Sequence, residues 1–67
     1  MTRYLEILKA AQEAEDHGFL GLASVLYKDA SDEAPKGSPE SLRALDYSQT
    51  IGLTTYAEWN AKNKGAN

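Results

Sequence analysis

The sequence predicts an all-α fold, three or four short helices packed as one or two helical hairpins. Apolar residues recur at spacings of three and four rather than two. Helix start and stop signals stand at Ser38-Pro39, at Thr55 with Glu58, and at Gly18 and Gly65. With 67 residues, the chain is one domain at most. The expected division is a hairpin over 2–30, a loop over 31–38, and helices over 38–48 and 54–64.

The first helix is "TRYLEILKAAQEAED". Tyr4, Ile7, Leu8, Ala11 and Ala14 share one face, with Leu5 at its edge, and Thr2 is placed to cap the first turn. "FLGLASVLYKDA" is also helical in period, with Phe19, Leu22, Val25 and Leu26 as its apolar stripe. Between the two lies "EAEDHG", whose acids have the wrong sign for a helix C-terminus. One continuous helix would carry Tyr4, Leu8, Ala11, Glu15, Gly18, Leu22, Val25 and Asp29 along a single seam. Glu15 in the middle of that seam favours a hairpin instead, with Gly18 as a left-handed cap and Asp16 as a cap for the next helix.

"SDEAPKGSP" reads as a loop, with two prolines, a glycine and no apolar residue larger than alanine. "SPESLRALDY" opens a third helix, with Ser38 as N-cap, Pro39 at the first helical position, Glu40 in the first turn, and Leu42 and Leu45 facing inward. Gly52 in "QTIGL" breaks the pattern. In "TTYAEWNAKNKG", Thr55 and Glu58 form a capping box and Gly65 marks the stop. Lys62 and Lys64 suit the dipole at that end. Tyr56 and Trp59 lie one turn apart, on one face with Leu53.

Gly18 and Gly52, Ala23 and Ala57, and Ala10 and Ala44 are each 34 residues apart. Residues 7–35 resemble one tetratricopeptide repeat, with Ala11 at the small position of its first helix, Gly18 in the turn, Ala23, Tyr27 and Ala30 on its second helix, and Pro35 at its close. The resemblance covers under half the chain. A second copy departs from the pattern, with Ala61 and Lys64 where an aromatic and an alanine belong. The resemblance implies peptide or protein binding through packed helix pairs, and carries over no catalytic residue.

The formal charge is −3, unevenly spread. Seven acids face three bases in residues 1–34, giving −4, and three acids face four bases in residues 35–67, giving +1. An acidic chain repels phosphate backbones and suits a basic protein surface. No stretch has the roughly 20 apolar residues a membrane span needs. The first residues lack signal-peptide order, so a cytoplasmic protein is expected. Without cysteine there is neither disulfide nor thiolate site. So short a chain has a small core, and association with another copy or a partner is the remaining source of stability.

No chemical motif emerges. Glu13 and His17 share a helix face, but a lone histidine without cysteine falls short of a transition-metal site. Asp16 beside His17 is not a positioned base and orienter, and no nucleophile signature or phosphate loop is present. The chain is therefore expected to be no enzyme and to use no cofactor. Residues 47–65 invite a helix-turn-helix reading with Asn60, Lys62, Asn63 and Lys64 on the second helix, against which stand Glu58, Ser48 and the acidic total. The leading expectation is a non-catalytic protein–protein interaction module: a small acidic inhibitor, adaptor or assembly subunit, possible as a homo-oligomer. Its candidate contact residues are Glu13, Glu15, Asp16, Tyr27, Tyr56 and Trp59. A small DNA-binding regulator is the alternative.

Overall fold

The computed structural model describes residues 2–65, with the side chains of 63–65 outside that description. Four helices follow one another: α1 (Thr2–Asp16), α2 (Leu20–Glu33), α3 (Pro39–Leu53) and α4 (Tyr56–Gly65). Among the described residues there is no strand. α2 lies between α1 and α3 and packs against both.

The chain does turn at Gly18. The Gly18 N–H reaches the Glu15 carbonyl at 3.0 Å and the Phe19 N–H reaches the Ala14 carbonyl at 2.9 Å, closing a Schellman motif. Gly18 has φ +81°, a conformation that costs glycine little. The carbonyls left open at the end of α1 are thus taken up locally, which offsets the unfavourable sign of its acidic last turn. His17 adds a bond from Nδ1 to the Glu13 carbonyl at 2.8 Å. A carbonyl only accepts, so Nδ1 carries the ring hydrogen.

Several boundaries differ from the expectation. Thr2 is the first residue of α1 itself. Asp16 does not cap α2, since Phe19 is the N-cap residue and makes no side-chain bond there. α2 runs on to Glu33 instead of ending at Ala30. Ser31 is buried and hydrogen-bonded to α3, and Lys28 pairs with Asp32 one turn on. Pro35 sets the end, because the residue before a proline is driven out of helical geometry, and Ala34 is extended at ψ 155°. The loop is therefore 34–38. Ser38 caps α3 as expected, accepting from the Ser41 N–H at 3.2 Å.

Gly52 does not break α3. It lies in the last turn of the helix, where a β-carbon would come within 3.2 Å of Ser24 Oγ. The missing side chain admits α2 at close range, which offsets the roughly 1 kcal/mol a helical glycine costs. Gly18, in a turn, and Gly52, within the last turn of a helix, thus have unrelated roles despite their 34-residue spacing.

The core is built from small residues. Ala11, Ala23, Ala30 and Ala44 are fully buried, with Tyr4, Ala14, Tyr27, Ala34 and Ile51 nearly so. Leu8 touches both halves of this core. The inward face of α2 is Ala23, Tyr27, Ala30 and Ser31, not the stripe of Phe19, Leu22 and Val25, which stays exposed. Leu42 is likewise outside. Two serine pairs join α2 to α3. Ser24 Oγ donates to the Ser48 carbonyl at 3.0 Å, and Ser48 Oγ returns a bond to the Ser24 carbonyl at 2.8 Å. Seven residues away on each helix, Ser31 and Ser41 repeat the exchange at 2.9 and 3.0 Å.

Two alanine substitutions should have opposite signs. At Gly18 the added β-carbon would sit 3.0 Å from both Trp59 and Tyr56 in a left-handed backbone, so Gly18→Ala should cost more than about 1 kcal/mol. At Gly21 nothing lies within 4 Å and φ is ordinary, so Gly21→Ala should add about 0.4–1 kcal/mol. Thermal melts followed by circular dichroism compare the two directly. A melting temperature unchanged by Gly18→Ala would contradict the cap and its aromatic cover.

Candidate functional site

Three of the six candidate contact residues sit at the α1–α2 turn. Glu13 and Asp16 are exposed there, while Glu15 is half-buried and accepts a hydrogen bond from the Tyr27 hydroxyl at 2.9 Å. Tyr27 is only 2% exposed. It therefore sits in the core of this structure, and its hydroxyl holds Glu15. Its ring also meets Tyr47 at 5.3 Å between centroids.

Tyr56 and Trp59 come from the first turn of α4. Thr55 holds that turn: its Oγ1 accepts from the Glu58 N–H at 3.1 Å and donates to the Glu58 carboxylate at 3.0 Å. This is the expected Thr55–Glu58 cap in altered form, with the carboxylate on the hydroxyl rather than on a backbone N–H. The two rings pack at 5.6 Å, inclined by 33°, and lie over Gly18. Trp59 is partly buried and Tyr56 is 61% exposed. Leu53, placed on their face by the sequence, ends α3 and is exposed.

These placements create a cleft of about 410 Å³ between α4 and the hairpin, lined by Glu15, Leu20, Ile51, Glu58, Trp59 and Lys62. Two acids, one base and an indole meet in it. A shallower groove of about 320 Å³ runs along the outer side of α1 and α2, lined by Ala10, Glu13, Ala14 and His17 from α1 and its end and by Phe19, Leu22 and Leu26 from α2 and its start. The His17 and Phe19 rings stack at one end, 6.2 Å apart. Sequence reasoning missed this groove, having placed Leu22 with Leu26 on one apolar stripe, of which Leu26 packs half-buried against the core and Leu22 is exposed. Its signal was the run of alanines and serines on the opposite face of α2, which marks the closer contact.

Among the described residues, no three His, Asp or Glu side chains gather as metal ligands, and no helix is long and apolar enough to cross a membrane. The helix-turn-helix geometry also changes: the α3–α4 turn is Thr54–Thr55, with Gly52 inside α3. Of the four polar residues expected on the second helix, the side chains of Asn63 and Lys64 lie outside the described set.

The Tyr27 phenol is pushed well above its ordinary value of 10.0. Burial is the first cause, followed by its bond to the Glu15 carboxylate and the negative charge of that carboxylate, with smaller contributions from Tyr47 and Asp16. The folded chain thus holds this proton more tightly than the unfolded chain. Below pH 10 both states are protonated and the stabilisation is complete. Above it the unfolded chain releases its proton first, so stability should fall with rising pH, by up to about 1.4 kcal/mol per unit. Melts across the alkaline range should show this slope, and Tyr27→Phe should flatten it while costing about 1–3 kcal/mol at neutral pH. Equal slopes in the two proteins would show that the buried phenol is not what titrates.

Compared with family models, with curated proteins and with solved structures, the chain finds no match, so the tetratricopeptide resemblance of residues 7–35 stands on those residues alone.

Proposed function

We infer that this chain is a non-catalytic protein-binding module that acts by occupying a partner's surface. One observation carries the reading. The protein fills most of its interior with alanine and serine around Tyr4, Tyr27 and Ile51, and leaves many large apolar side chains outside: Leu5, Phe19, Leu22, Val25, Leu42, Tyr47, Leu53 and Tyr56 are each 47–84% exposed. A monomer without partners gains nothing from so many half-wet apolar groups, and clusters of them are the usual mark of a contact surface. The acid surplus of residues 1–34 falls on α1 and α2, which suits a basic target and speeds encounter with it. The half-buried indole of Trp59 beside exposed Tyr56 adds the residue types that dominate contact energies.

The test pairs two measurements on the full chain. Immobilised protein incubated with lysate of its native host should retain a defined protein in fixed stoichiometry, identified by mass spectrometry. A mobility shift with random duplex DNA should show no tight complex. DNA binding that collapses steeply with added salt would replace the protein-binding reading with the nucleic-acid alternative.

A further inference from the structure

The geometry points to the α1–α2 groove as the docking site of a basic amphipathic helix. The assignment rests on the protein-binding reading and names the surface and the partner's chemistry. The groove is lined mostly by apolar residues: Ala10 and Ala14 keep its α1 side low, while Leu22 on the α2 side stands 54% exposed. A low wall of alanines lets another backbone approach. The leucines offer a ridge of the kind that i, i+3, i+7 side chains of a helix fill. α1 and α2 are helices and offer no strand edge, so the occupant must pack by side chains.

Charge selects among helices. Glu6 and Glu13, seven residues apart, fall on one outer stripe of α1, and Asp29 falls one heptad beyond Leu22 on α2. Among the described residues none of these three carboxylates has an ion-pair partner, because the two salt bridges are Arg3–Glu33 and Lys28–Asp32. An apolar strip with Glu13 in its lining, and with Glu6 and Asp29 placed by helical spacing along its rims, matches a helix whose apolar ridge is flanked by Lys or Arg. The same rims disfavour a second copy of this chain, since two such faces would bring like charges together around the apolar strip.

The probe is a synthetic helical peptide with leucines at i, i+3 and i+7 and lysine and arginine on both flanks. Its control carries glutamate in those flank positions. Anisotropy of the labelled peptides gives affinity, and amide shifts of the isotope-labelled full chain give location. The basic peptide should bind, shift the amides of Ala10, Ala14, Leu22 and Leu26, and bind at least about tenfold more tightly than the acidic control at low salt. Leu22→Gln should weaken it about tenfold, and the double variant Glu13→Gln with Asp29→Asn by a similar factor. All three side chains are exposed, so the fold should survive, as far-UV circular dichroism will show. Four results overturn the proposal: no binding, equal binding of the acidic control, shifts confined to the Trp59 cleft or to Leu42 on α3, or self-association through Leu22 that the peptide leaves untouched. A native partner captured equally by wild type and Leu22→Gln would sink the groove and leave the protein-binding reading standing. Steep salt-dependent DNA binding with no captured protein would remove that reading itself.

Discussion

Four serine hydroxyls fix how close α2 and α3 can come. Each donates to a backbone carbonyl across the interface, Ser24 with Ser48 and Ser31 with Ser41. A helical carbonyl has a second lone pair beyond its intrahelical bond, so the exchange adds partners without breaking either helix. Only a short side chain can reach a neighbouring backbone in this way, and only if the helices are near enough for nothing larger to fit between them. Ala23, Ala30 and Ala44, all fully buried, and Gly52 with Ser24 close upon it, belong to the same contact. The spacing of seven also sets register. Sliding α3 along α2 by one turn would break both pairs and leave buried hydroxyls unsatisfied, at about 1–3 kcal/mol each.

That closeness decides the rest of the surface. Apolar burial contributes about 25 cal/mol per Å², and an alanine brings little area to it. The interior therefore draws its larger contributions from Tyr4, Tyr27 and Ile51, with Leu8, Leu20 and Leu26 packed partly buried against it, while other large apolar side chains of α2 and α3 find no room inward. Phe19, Leu22, Val25 and Leu42 point out because the helix faces meeting one another are already filled. Exposure of these groups follows from the packing of the core, and it leaves apolar grooves bordered by the acids of α1 and α2.

The sequence was legible where structure is local and misleading where packing is tight. The face of α1, the glycine cap at Gly18, Ser38 before Pro39, and Thr55 with Glu58 all depend on neighbours within five residues, and each takes the expected place. Three misreadings share one cause. The stripe of Phe19, Leu22 and Val25 outweighs Ala23 and Ala30 on any hydrophobic count, Ser31 looks like loop, and Gly52 looks like a breaker. In a close helix contact, smallness rather than hydrophobicity marks the buried face. Of the candidate site, the pairing of Tyr56 with Trp59 follows from their spacing, but their position over Gly18 does not. Nor does the bond between Glu15 and Tyr27, which joins two helices across the turn.

The acidic turn is tolerated because its parts do separate jobs. Gly18 and Phe19 take up the open carbonyls of α1, so its C-terminal dipole is partly neutralised by hydrogen bonds where no base is present. Glu15 spends its carboxylate on the Tyr27 hydroxyl, which removes one acid from the exposed cluster and ties the end of α1 to the middle of α2. Tyr56 and Trp59 then cover the bare Gly18 that this turn requires, giving α4 its purchase on the hairpin. Any side chain at Gly18 would strain the backbone and push the rings away together. The glycine that ends α1 is therefore also the seat of α4, and Glu15 and Trp59, brought near this turn, line one cleft.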